Sequence, residues 1–292
     1  MNCVLAATDF STRADRALRR GVLLARQRSA KVILVHVVDD DQPLQLAEAR
    51  RDEAKALLDE LSRTVREHDK IDCENRVVFG DPFRGISRTA HELGVDLMLL
   101  GPHRRQILRD LFLGTTAERT IKISAEPVLM ANGVPAGRYR NVLIAMDFSD
   151  CSALAAQTAK QLGLFDQTQI NAIHVIEDKS GPVFRASVPM HKHTARLMLE
   201  EEQIRKDLAE LLDKIGIVAS QHVVRPREQS TPMAIRHWAE KLGSDLQVVG
   251  THGRSGIEKW MLGSVAEGVL ARSTIDVLAV PAAPKGDAVS AV

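Results

Sequence analysis

The residues best suited to meeting a phosphate group lie near the end of the chain. They are Gly250-Thr251-His252-Gly253-Arg254-Ser255-Gly256 and, separated from Gly253 by nine residues, Gly263-Ser264-Val265. Glycines at 250, 253 and 263 permit unusual backbone angles and let main-chain N–H groups approach a ligand with no Cβ in the way. Gly263-Ser264 directly precedes the helical run Val265 to Arg272. A helix start with unpaired amides there would form an anion cradle. The plainer alternative is a glycine-rich connection with Ser264 as an ordinary helix cap. Two familiar loops are excluded. No Gly-Lys-Ser/Thr closes the run, and a dinucleotide fingerprint would follow the first strand with a different glycine spacing. Without a lysine clamp, the site would rest on backbone amides, on Arg254 and on a metal ion.

A second constellation follows the apolar run Val142–Ala145, where Asp147 and Ser149 stand close together. Ser149 or Ser152 suits the cap of the next helix, and Asp147 alone reads as turn chemistry. Facing Gly250 across a sheet, Asp147 could instead hold a ribose hydroxyl or a magnesium ion. Cys151 is expected near that helix start, a position that lowers a thiol pKa. As bases for hydrolysis the glycine loop offers His252 and Glu258, neither with a matched partner. His191-Lys192-His193, with His222, lacks the cysteine or carboxylate partner of a metal site and reads as solvated loop. Arg13, Arg16, Arg19, Arg20 and Arg26 read as a solvated basic helix face.

The elements that must position these groups occur twice. Val4-Leu5-Ala6-Ala7-Thr8-Asp9-Phe10-Ser11 recurs 138 residues later as Val142-Leu143-Ile144-Ala145-Met146-Asp147-Phe148-Ser149. Val35-His36-Val37 recurs as Ile173-His174-Val175, and Leu93-Gly94-Val95-Asp96-Leu97 as Leu242-Gly243-Ser244-Asp245-Leu246, the latter 149 residues on. The larger offset requires a net insertion, expected within the irregular stretch 179–193. A unit of this length is a domain rather than a solenoid repeat. Within each copy, short runs apolar on both faces alternate with amphipathic segments such as Ala47–Glu67. That pattern specifies α/β architecture: two tandem doubly wound domains, each a five-stranded parallel sheet flanked by helices, Rossmann-like. Expected boundaries are 1–133 and 138–284, with a Gly/Pro linker between and a disordered tail at 285–292.

Lys and Arg total 39 against 38 Asp and Glu, and aromatics are 3%. Near-neutral charge excludes a dedicated nucleic-acid or membrane-surface binder, and few aromatics exclude a base-stacking platform. Three scattered cysteines, Cys3, Cys73 and Cys151, form no disulfide framework. No run approaches the roughly 18 apolar residues of a membrane span. A soluble cytoplasmic protein is expected.

With these residues assembled, the chain resembles a tandem universal stress protein, two such domains in one chain. The family's motif of Gly, two residues, Gly, nine residues, Gly and Ser or Thr is met by Gly250, Gly253, Gly263 and Ser264. The resemblance implies ATP, with magnesium near Asp147. Adenine would lie near Val175, ribose near Asp147 with Ala145 and Met146 beside it, and phosphates along Gly250, His252, Gly253, Arg254, Gly263, Ser264 and Val265. In the first copy Gly101 and Gly114-Thr115 fit, but Pro102 and Arg104 replace Thr251 and Gly253, so a degenerate, structural site is expected there. The resemblance further implies a non-enzymatic stress-response regulator whose closing strands, Val128–Met130 and Val277–Val280, pair as an internal pseudo-dimer, with a homodimer possible. A nucleotide-free scaffold and a slow ATP hydrolase are the alternatives.

Overall fold

The computed structural model describes residues 1–102, 116–176, 190–226, 230–253 and 262–282. Arg104, Gly114, Thr115, Arg254, Glu258, the insertion up to residue 189 and the 285–292 tail lie outside the described residues. The first half supplies β1 (Cys3–Ala7), β2 (Lys31–Val38), β3 (Cys73–Phe79), β4 (Leu97–Leu100) and β5 (Val128–Met130). The second supplies β6 (Asn141–Ala145), β7 (Gln169–Ile176), β8 (Gln221–Pro226), β9 (Leu246–Gly250) and β10 (Asp276–Val280). Between them run α1 (Thr12–Arg28), α2 (Leu44–Thr64), α3 (Pro82–Leu93), α4 (Thr116–Ile123), α5 (Asp150–Gln161), α6 (Met190–Lys214), α7 (Thr231–Lys241) and α8 (Ser264–Arg272).

Local chemistry sets the helix ends. The Ser11 side chain accepts the Ala14 N–H at the start of α1, and Ser149 accepts the Ser152 N–H at the start of α5. Asp81 caps α3 with Pro82 just inside it, and Gly94, at φ +58°, closes it in the left-handed conformation. Helix α6 already begins at Met190, so His191 and His193 belong to a helix and not to an irregular loop. The apolar stripe through Leu208 and Leu212, both fully buried, carries that helix, and the turns before it extend it.

The strand order is β3-β2-β1-β4-β5-β10-β9-β6-β7-β8. Neighbours within each half are parallel, whereas β10 runs antiparallel to β5 with Leu278 opposite Leu129. The two five-stranded sheets therefore continue as one ten-stranded sheet, and the carboxyl ends of the two halves point in opposite directions. In each half the order reverses beside the first strand, between β1 and β4 and between β6 and β9, which is where open α/β sheets place their ligands. Two apolar layers, one on each face, run through both halves.

A buried charged cluster ties the halves at this seam. Asp276, on β10, is fully buried, and Arg20, on α1, is 5% exposed. Arg20 Nε lies 2.8 Å from Asp276 Oδ2, close enough for charge pairing although its N–H is not directed at that oxygen. Tyr139 Oη donates to Asp276 Oδ2 at 2.6 Å, and the Gly133 N–H donates to Oδ1 at 2.8 Å. Arg20 Nη1 donates to the Gly137 carbonyl at 2.7 Å, and its guanidinium lies 4.4 Å from the centre of the Tyr139 ring. Arg16 donates to the Asn132 carbonyl at 3.2 Å. Arg20 is thus no part of a solvated face. Helical periodicity placed it at the surface of one domain, and the second domain covers it. The linker, too, is pinned rather than loose.

Burial pushes the Asp276 carboxyl up, while Arg20, Tyr139 and Gly133 pull it back down. With a folded pKa above the unfolded value, Asp276 favours folding most at low pH and loses that contribution as pH rises through the folded value. Arg20→Met removes the main downward pull and strands a carboxylate, which costs about 3–5 kcal/mol. Urea unfolding should therefore show a lowered midpoint for Arg20→Met, with a larger deficit at pH 7.5 than at pH 5. An equal deficit at both would mean that packing, not charge, is what Arg20 supplies.

Candidate functional site

The site begins where β6 stops. The Met146 N–H donates to the Ile173 carbonyl at 2.9 Å, and the Met146 carbonyl accepts from His174 Nδ1 at 2.8 Å. A carbonyl can only accept, so the His174 proton sits on Nδ1. Phe148 follows with φ +62° and its ring 4.9 Å from that of His174. A bulky residue in the left-handed region is strained, and such strain concentrates at functional turns. The turn directs Asp147, whose Oδ1 accepts both the N–H and the O–H of Ser149. The Met146 and Val175 side chains are buried, in the two different core layers, and Ala145 is half-buried against the layer of Val175.

The glycine loop lies directly over this turn. A Cβ on Gly250 would stand 2.8 Å from Cys151 Sγ and 3.0 Å from the Cys151 main chain. One on Gly253 would stand 2.8 Å from Asp147 Oδ2. The Cys151 main chain leaves no room for a side chain at Gly250, whereas a Cβ at Gly253 would push the end of the Asp147 side chain aside. The Thr251 N–H donates to the Val280 carbonyl at 2.9 Å and the Gly263 N–H to the Thr251 carbonyl at 2.7 Å, which strings the loop between β10 and α8. Gly263 is itself the cap of α8 and supplies no side-chain acceptor. Ser264 is consequently the first helical residue, exposed, and not the cap. The first intrahelical bond runs from the Glu267 N–H to the Gly263 carbonyl, leaving the amides of Ser264 and Val265 at an open helix start. Thr251 Oγ1 and His252 Nδ1 are hydrogen-bonded at 2.9 Å, and His252 Nε2 has no protein partner among the described residues.

Asp147, Val175, Gly250, His252, Gly253, Gly263, Ser264 and Val265 thus converge at the carboxyl ends of β6, β7 and β9 and the start of α8. Cys151 departs from its expectation. It is buried under Gly250, and burial raises its pKa despite the helix start, because desolvating a thiolate costs more than the nearby amides return. No group of three or more His, Cys, Asp or Glu that could hold a metal occurs among the described residues. His222 sits on β8, its pKa lowered by burial and by Arg205.

The first half repeats the turn, and its sequence departs from the second half's loop at Pro102. Phe10 has φ +60° and stacks 4.6 Å from His36, whose Nδ1 donates to the Thr8 carbonyl at 2.8 Å. The Ser11 N–H donates to Asp9 Oδ1 at 3.0 Å, and Gly101 packs as closely on Arg13 as Gly250 does on Cys151. Pro102, in place of Thr251, has no N–H for the equivalent strand contact. The Phe–His brace is what residue types alone missed. The recurrence of Asp-Phe-Ser and of His-Val carried the signal, but only the backbone angle gives it a role.

Residues 1–132 and 138–281 each match the universal stress protein family. Universal stress protein A homolog 1 of Coxiella burnetii is 32% identical over 149 residues, 49% of this chain and 96% of that protein. A universal stress protein of Mycobacterium tuberculosis is 24% identical over 294 residues, 94% of this chain and 95% of the relative. In fold, the chain is similar to a universal stress protein from Archaeoglobus fulgidus, with a TM-score of 0.70, 19% identity and 96% of each chain covered. Two copies of the domain, joined through β5 and β10, account for nearly every residue, and the chain belongs to the universal stress protein family.

Proposed function

We propose that this stress-response protein binds ATP in its second domain and that the first domain is a structural copy. The observation that carries the reading is the contact of Gly253 with Asp147, which fits a loop shaped to bring main-chain amides beside a carboxylate. Asp147 would take a ribose hydroxyl, Val175 and Met146 would wall the base, and the phosphates would meet the amides from Gly250 to Gly253 and at Gly263, Ser264 and Val265. An uncapped helix start suits that anionic charge. Magnesium would enter near Asp147 on the phosphates, since magnesium is bound through one or two carboxylates plus substrate phosphates and keeps most of its own waters. Arg254 belongs to the same proposal from its sequence position.

A regulatory role, in which occupancy alters a surface, suits the site better than catalysis. His252 is its one described candidate base, and the Thr251 hydroxyl engages it, with no carboxylate among the described residues to orient it. The cytoplasm is the proposed location. Free thiols at Cys3, Cys73 and Cys151 suit a reducing compartment, and no helix among the described residues is long and apolar enough to cross a membrane.

Calorimetric titration of the intact chain with ATP and Mg²⁺ should give one site per chain. Gly253→Arg, which copies the first domain's residue, should weaken that affinity at least tenfold while leaving the unfolding midpoint near the parent's. Unchanged affinity in that variant would refute the phosphate-loop assignment. Under saturating ATP, phosphate release should stay at the uncatalysed background, and a clear turnover would move the reading to a slow hydrolase.

A further inference from the structure

Well below the nucleotide loops, the second domain carries polar side chains in its core that have no protein partner among the described residues. They are both amide atoms of Asn171, Oε1 of Gln247 and Oγ of Ser244. Exposure is 1% for Asn171, 2% for Gln247 and 7% for Ser244. Asn171 on β7 and Gln247 on β9 flank Leu143 of β6 in register, one on each side. Residues in register share a face of the sheet, and Leu143 faces the layer that holds Ile235 and Ala239 of α7. Ser244 joins α7 to β9, its N–H bonded to the Ala239 carbonyl.

The first domain offers an internal control. Leu5 is flanked in register by Ile33 and Met98, and the Val95 N–H bonds to the Ala90 carbonyl as Ser244 does to Ala239. Three corresponding positions are therefore Ile33, Val95 and Met98 in one copy and Asn171, Ser244 and Gln247 in the other. The first set packs as ordinary core. The second would forfeit hydrogen bonds that these groups make in the unfolded chain, unless something inside the fold returns them. A buried water needs two to four polar partners, and this group offers donors and acceptors of both kinds.

We propose that the second domain binds ordered water in its core, between β7, β9 and α7, held by Asn171, Ser244 and Gln247, while the first domain is dry at the matching place. The assignment does not depend on whether ATP binds. The site lies toward the amino-terminal ends of β7 and β9, away from the glycine loop that follows β9.

Water–protein cross-relaxation in the intact, methyl- and amide-labelled chain tests this. Long-lived water should give cross-peaks of the sign of bound water at the Asn171 side-chain amide and the Leu143 methyls, and none at the Leu5 methyls. Those peaks should survive Ser244→Val, which removes relay through the serine hydroxyl, and vanish in Asn171→Ile/Ser244→Val/Gln247→Met, whose unfolding midpoint should rise by several degrees. Absence of the peaks in the parent, or equal peaks at Leu5, would overturn the proposal. If the triple variant does not fold, the parent and Ser244→Val spectra decide by themselves.

Discussion

A carboxylate buried at the seam between two sheets constrains the whole molecule. Asp276 leads the last strand into the centre of the protein, where Arg20 of the first half, the Gly133 amide and Tyr139 at the start of the second half make its charge tolerable. Arg20 and the Gly133 amide are in place only when β10 lies against β5, so the cluster reports correct docking as much as it stabilises it. The pairing also joins two sheet edges that would otherwise be open to other chains, leaving β3 and β8 as the ends. Because the seam is antiparallel while each half is parallel, the carboxyl ends of the two halves' strands lie at opposite ends of the sheet. Each domain's site is consequently built from its own loops.

The two copies share a scaffold and diverge in loop sequence. In both, a histidine on the second strand holds the carbonyl after the first strand, and a phenylalanine in the left-handed conformation turns the following aspartate and serine. That brace involves no residue of the glycine loop, so the first copy keeps the turn although its sequence differs at Pro102 and Arg104. A duplicated domain can lose a ligand and keep its fold because the strained turn is held by packing, whereas close main-chain approach depends on the absence of a few Cβ atoms.

Several features were legible in residue order because they depend on near neighbours and on repetition. The internal repeat, the strand–helix alternation, the caps at Ser11 and Ser149 and the glycine spacing at 250, 253 and 263 are of this kind. Period and capping act within a turn or two of helix, so they survive without knowledge of the rest of the chain. The readings that failed depend on distant surfaces. Arg20 follows the pattern of a solvated face, yet a strand more than 250 residues away covers it. Cys151 sits at a helix start that should acidify it, yet Gly250 closes over it and burial dominates. Ser264 looks like a cap, but the chain enters α8 one residue earlier.

By itself, then, the sequence determined the family, the two-domain α/β plan and the residues that meet at the second domain's loops, since all of these rest on local spacing and internal similarity. Tertiary structure alone decided the continuous ten-stranded sheet, the buried Arg20–Asp276 pair, the fit of Gly253 against Asp147 and the polar layer at Asn171, Ser244 and Gln247. The physical reason is common to them. Desolvation, charge pairing and steric exclusion depend on what lies within a few ångströms in space, and for these residues those neighbours come from distant parts of the chain.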